Sequence, residues 1–75
     1  MDLREFIIDQ FRNANYKVGQ CLSIPTLEVN ARNSDLEFEH SLDEEIHIMI
    51  REGLLERELE SRTLVHLTKK GFELI

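Results

Sequence analysis

Seventy-five residues, 41% apolar and 32% charged, describe one small globular domain over residues 1–75, and exclude a disordered tail and an enzyme built around a deep pocket. No apolar run approaches the roughly 20 residues of a membrane span, and Met1-Asp2-Leu3-Arg4-Glu5 lacks the basic start and long apolar stretch of a signal peptide, so no membrane partner and a cytoplasmic location are expected. The net charge of −6 is unevenly spread: residues 28 to 60 hold eleven acids against Arg32, Arg51 and Arg57, a balance of −8, whereas residues 61 to 75 hold Arg62, Lys69 and Lys70 against Glu73, a balance of +2.

Residues 2 to 14 read as an amphipathic helix. Leu3, Phe6, Ile7, Phe11 and Ala14 recur at three- and four-residue spacings, with Ile8 at the stripe's edge and Arg4, Asp9 and Arg12 on the polar side. Asp2 with Glu5 has the spacing of a capping box, and Asn13, Asn15 and Gly19 mark the exit. Val18, Cys21, Leu22 and Ile24 make residues 18 to 24 an edge strand or extended connector. Pro25 ends it, keeps Ile24 out of helical geometry and opens a short second helix. Leu27 and Ala31 face inward from that helix, which stops near Asn33. Cys21 is the only cysteine; it has no intrachain disulfide partner and belongs to no CxxC pair, so a small core side chain is expected.

Residues 34 to 40 admit two readings. Ser34-Asp35-Leu36-Glu37 has capping-box spacing, and Leu36-Glu37-Phe38-Glu39-His40 alternates like a strand. Burial of Leu36 and Phe38 is expected either way. Ser41 and Glu44 then cap a third helix over 42 to 52, with Leu42, Ile46, Met49 and Ile50 inward and Gly53 as its stop. Its opposite face carries Asp43, Glu44, His47, Ile48 and Arg51. Leu54–Leu59 and Thr63–Leu67 read as two strands joined by Glu60-Ser61-Arg62; with no glycine in the turn, a longer or bulged loop is expected. Thr68 caps a short last helix with Phe72 and Ile75 inward.

The run Gly53-Leu54-Leu55-Glu56-Arg57, then Arg62, then Leu64-Val65-His66-Leu67-Thr68-Lys69-Lys70-Gly71, resembles the wing region of winged helix-turn-helix proteins, where regulators of the MarR and PadR types carry a "GL(I/L)-x-R … R … LT-x-x-G" pattern. The likeness covers about 20 residues, and its parts make a fold: a helix stop, two core leucines, a cap and a close-packing glycine. It implies an α+β winged helix-turn-helix with three helices, a two- or three-stranded β-wing and a short C-terminal helix. It also implies a DNA-reading helix at 42 to 52 and a wing at 56 to 66, with Arg57 and Arg62 placed to meet phosphates. Asp43-Glu44-Glu45 at the start of the reading helix, and Glu56, Glu58 and Glu60 in the wing, depart from a DNA-binding surface. The chain also ends without the long extra helix by which many relatives dimerise.

Two functions compete. The leading expectation is a small regulatory module acting on DNA or within a DNA-bound complex. Arg57 and Arg62 supply wing contacts, His47 and Arg51 the presented helix, and Lys69 and Lys70 a basic edge. The alternative is a protein-interaction module on the same scaffold, without DNA affinity, using Asp43, Glu44, His47, Ile48 and Arg51. A weaker third reading is an acidic decoy of DNA. Glu44-x-x-His47 with His40 has a metal-like spacing, but di-metal helices need a second copy facing inward, so no metal and no cofactor are expected. His66 reads as a strand residue. No phosphate loop, nucleophile elbow or Cys/His catalytic pairing is present, and no enzyme is expected.

Overall fold

The computed structural model describes residues 2–14 and 20–74. Among them the order is α1 (Leu3–Asn13), β1 (Cys21–Ser23), α2 (Ile24–Asn33), α3 (Leu42–Arg51), β2 (Leu55–Arg57), β3 (Leu64–Leu67) and α4 (Lys69–Phe72). The strands form one antiparallel sheet in the order β1-β3-β2, so the fold is α+β with four helices and a three-stranded sheet. Val18, Asn15, Gly19 and Ile75, on which parts of the sequence reading fall, lie outside the described residues.

Local chemistry accounts for the boundaries. The Asp2 carboxylate accepts from the Arg4 backbone N–H at the start of α1, and the Ser41 hydroxyl accepts from Glu44 N–H at the start of α3. Gly53, at φ 79°, turns the chain out of α3 through left-handed space that a side chain would resist. Thr68 has two roles: its hydroxyl accepts from Gly71 N–H to cap α4 and donates to the Gly53 carbonyl at 2.5 Å, tying α4 to the end of α3. Gly71 is there for space, since a Cβ at that position would sit 2.1 Å from the Leu54 carbonyl oxygen.

One core gathers Leu3, Phe6, Ile7, Ile8 and Phe11 of α1 with Leu27, Ile46, Met49, Leu54, Leu55, Val65 and Leu67. Burying an aliphatic or aromatic side chain of this size contributes about 1.5–3 kcal/mol. Such a core offsets the backbone entropy of a small domain with little to spare. Ala31, Ile50 and Phe72 pack against it from partly exposed positions, and the Phe6 and Phe38 rings meet at 5.3 Å.

Several sequence expectations are corrected. Leu36 is not buried: it is 40% exposed in an irregular stretch where the Ser34 hydroxyl bonds the Ala31 carbonyl and accepts from Leu36 N–H, and Asp35 takes φ 57°. The Leu36 N–H is thus satisfied by a side chain instead of by a helix or strand partner. Ile24 is not kept out of helical geometry, because α2 begins at that residue with Pro25 in its first turn, where a missing N–H costs nothing. The two hairpin strands are shorter than expected, the turn spans 58 to 63, and Leu59 is 92% exposed at its tip. The expected longer loop is present, with Glu60 at φ 66° and the Ser61 hydroxyl accepting from Thr63 and Leu64 N–H.

Candidate functional site

The outward face of α3 and the β2–β3 hairpin converge on one edge of the molecule. His47 Nδ1 lies 2.8 Å from the Asp43 carbonyl, one turn back on α3. A proton on Nδ1 makes Nε2 the acceptor, and Nε2 faces Arg57 Nη2 at 3.4 Å. Arg57 Nη1 donates to the Arg62 carbonyl at 3.1 Å. Arg57 therefore braces the hairpin loop against α3, bringing together the expected side chains of His47 and Arg57 and the backbone of Arg62, whose side chain is exposed. Arg51 follows His47 by one turn on the same exposed face.

The remaining candidates divide. Asp43 and Glu44 are exposed at the N-terminal end of α3, as expected. Ile48 is not on the open face; it is half-buried, because α3 is flanked by α1 and β2 and Ile48 falls at the border of the solvent arc. Lys69 is exposed at the start of α4. Lys70 reaches back to donate to the Glu52 carbonyl at 3.0 Å. That contact satisfies a terminal carbonyl and places a cation at the negative end of α3, which offsets the cost of a lysine in the first turn of α4.

Sequence reading missed Glu45. It is buried at 4% exposure and held between Arg4 Nε at 3.2 Å and His40 Nε2 at 2.6 Å, while Arg4 also pairs with Glu52. These carboxylates hold the Arg4 guanidinium above its ordinary pKa, Glu52 contributing most. A signal existed. Leu42, Glu45, Ile46 and Met49 fall at i, i+3, i+4 and i+7, so the inward stripe of α3 includes a carboxylate that requires a cation. His40 thus belongs to this internal network and is not brought to Glu44 and His47 as a cluster.

No helix among the described residues is long and apolar enough to cross a membrane. No protein-family model, curated protein or solved structure matches the chain.

Proposed function

We propose that the chain is a small winged helix-turn-helix regulatory module that binds DNA mainly through phosphates. The order α1-β1-α2-α3-β2-β3 with strands in the order β1-β3-β2 supports the winged layout, α3 being the presented helix and the β2–β3 hairpin the wing. The observation that carries the DNA reading is the meeting of the Arg57 guanidinium with His47 of α3, next to the exposed loop residue Arg62, whose backbone carbonyl Arg57 holds, and with Arg51 on the same helix face as His47. Guanidinium groups at a helix–hairpin edge suit the phosphates that flank a major groove. Asp43 and Glu44 limit how closely the helix's first turn approaches the duplex, so affinity is low and electrostatic, with little base discrimination.

Anisotropy of a labelled mixed-sequence duplex, titrated at several salt concentrations, tests this. Two or three phosphate contacts give a log–log salt slope of about −2 to −3. Arg62→Ala, at an exposed position, lowers the slope by about 1 and leaves the fold intact. A flat salt response would overturn the reading.

The exposed pair Asp43 and Glu44 favours a second reading, a protein-interaction module on the same scaffold with α3 as its contact face. Glu44→Lys separates the two, because only the Glu44 backbone N–H is used by the Ser41 cap. Tighter DNA binding by the variant supports the first reading, and unchanged absence of binding supports the second.

A further inference from the structure

Directly paired residues in a sheet project to the same side, and so do residues two apart along one strand. Cys21 and Glu56 are both paired with His66, one from each flanking strand. Along β3 the buried residues are Val65 and Leu67, so His66 looks outward, and Cys21, His66 and Glu56 form a row across the outer face of the sheet. Glu58, two residues beyond Glu56, joins the same face: its Oε1 lies 2.7 Å from His66 Nδ1. Cys21 Sγ, one Glu58 oxygen and one His66 nitrogen lie within 4.8 Å of one another.

The roles of the two imidazole nitrogens differ. Nε2 faces the Glu56 carboxylate at 3.2 Å. Nδ1 is buried and faces Glu58 Oε1 at 2.7 Å without a well-aligned hydrogen bond. That is the layout of a metal-binding histidine, whose second nitrogen is held by an outer carboxylate. We propose that Cys21, Glu58 and His66 Nδ1 form a binding site for a zinc-class divalent cation, with Glu56 orienting the imidazole and a fourth position left for water.

The donor set decides the class of ion. Thiolate, imidazole and carboxylate together select zinc over calcium or magnesium, which take oxygen ligands. Tetrahedral zinc spaces its ligand atoms about 3.5 Å apart, so adjustments of about 1.3 Å or less, Glu58 Oε1 and His66 Nδ1 moving apart from 2.7 Å to admit the ion, complete the site. A second cluster, Glu39, His40 and Glu45, has similar spacing. It is unsuited to a cation because Glu45 already holds the Arg4 guanidinium. In the metal-free protein the Cys21 thiol donates to Glu58, which pushes the thiol's pKa up and the carboxyl's down. Zinc displaces that proton to the buffer and bonds the resulting thiolate, so affinity rises with pH. The bound ion fastens β1 to the hairpin through β3. This site is separate from the arginine edge, and its failure would leave the DNA reading untouched.

The test is titration of the metal-free full chain with zinc chloride by calorimetry and with cobalt chloride by absorption. Saturation at one zinc per chain in the micromolar range is expected, with proton release. The cobalt form shows tetrahedral visible bands and a thiolate-to-cobalt charge-transfer band. Cys21→Ser removes that band and weakens zinc at least about tenfold. Glu56→Gln, at an exposed position, weakens it about tenfold or more. Far-UV circular dichroism verifies that both variants fold. Absence of saturable binding by the wild type, a cobalt spectrum without the thiolate band, or unchanged zinc affinity in folded Cys21→Ser would overturn the proposal.

Discussion

Glu45 shows how a single residue can set the geometry of α1 and α3. Its carboxylate is taken out of water, and Arg4 and His40 restore the lost hydration. Arg4→Ala leaves the buried carboxylate with His40 as its remaining partner. Because Arg4 is itself about one-third exposed and solvent screens part of the interaction, a loss of about 1–3 kcal/mol is expected, read as a lower urea midpoint at unchanged slope. The two glycines at the end of α3 and in α4 separate strain from space. Gly53→Ala meets no atom within 4 Å but keeps φ 79°, and costs about 1–2 kcal/mol. Gly71→Ala drives a methyl into the Leu54 carbonyl, and costs more than Gly53→Ala by thermal denaturation, up to loss of the folded state.

Within elements, the sheet's outer face makes stability depend on pH at both ends of the range in the metal-free protein. The Glu58 carboxyl has a folded pKa below its ordinary value because the Cys21 thiol donates to it and His66 attracts its charge. Its contribution is present above about pH 4.3 and is lost as pH falls through the folded value. The Cys21 thiol has a raised folded pKa, from the bond to Glu58 and from burial. Its contribution is present below about pH 8.5 and is lost as pH rises toward the folded value. Urea midpoints for wild type and Cys21→Ala, compared from pH 3 to 10, are expected to differ most on the intervening plateau and to approach each other at the extremes. How legible each element was follows the range of the interactions that make it. The caps at Asp2, Ser41 and Thr68 and the stop at Gly53 act within four residues, and the chain order displays them. Residues 34 to 40 carried two competing patterns, and local Ser34 bonds prevailed over both. Cys21 was expected in the core because strand register, which pairs it with His66 across 45 residues, is invisible to spacing.

For the whole molecule, charge is the quantity that matters most. The balance of −8 over residues 28 to 60 is partly neutralised internally, because Glu45 and Glu52 are engaged by Arg4. What remains outward on α3 is Asp43 and Glu44 toward one end and His47 and Arg51 toward the other, with Arg57 and Arg62 alongside. The sequence showed which residues were cationic, and the wing resemblance placed Arg57 and Arg62 in a hairpin. That Arg57 would brace its own loop, and that Lys70 would cap α3, depended on tertiary contacts 5 and 18 residues apart. The central claim is that the α3–hairpin edge binds the phosphate backbone. A titration of backbone amide resonances with a mixed-sequence DNA duplex at low salt tests it most directly. Shift changes concentrated at residues 47 to 51 and 56 to 66, and collapsing as salt is raised, are predicted. Resonances that stay unmoved at millimolar duplex, or shifts confined to another face of the protein, would contradict it.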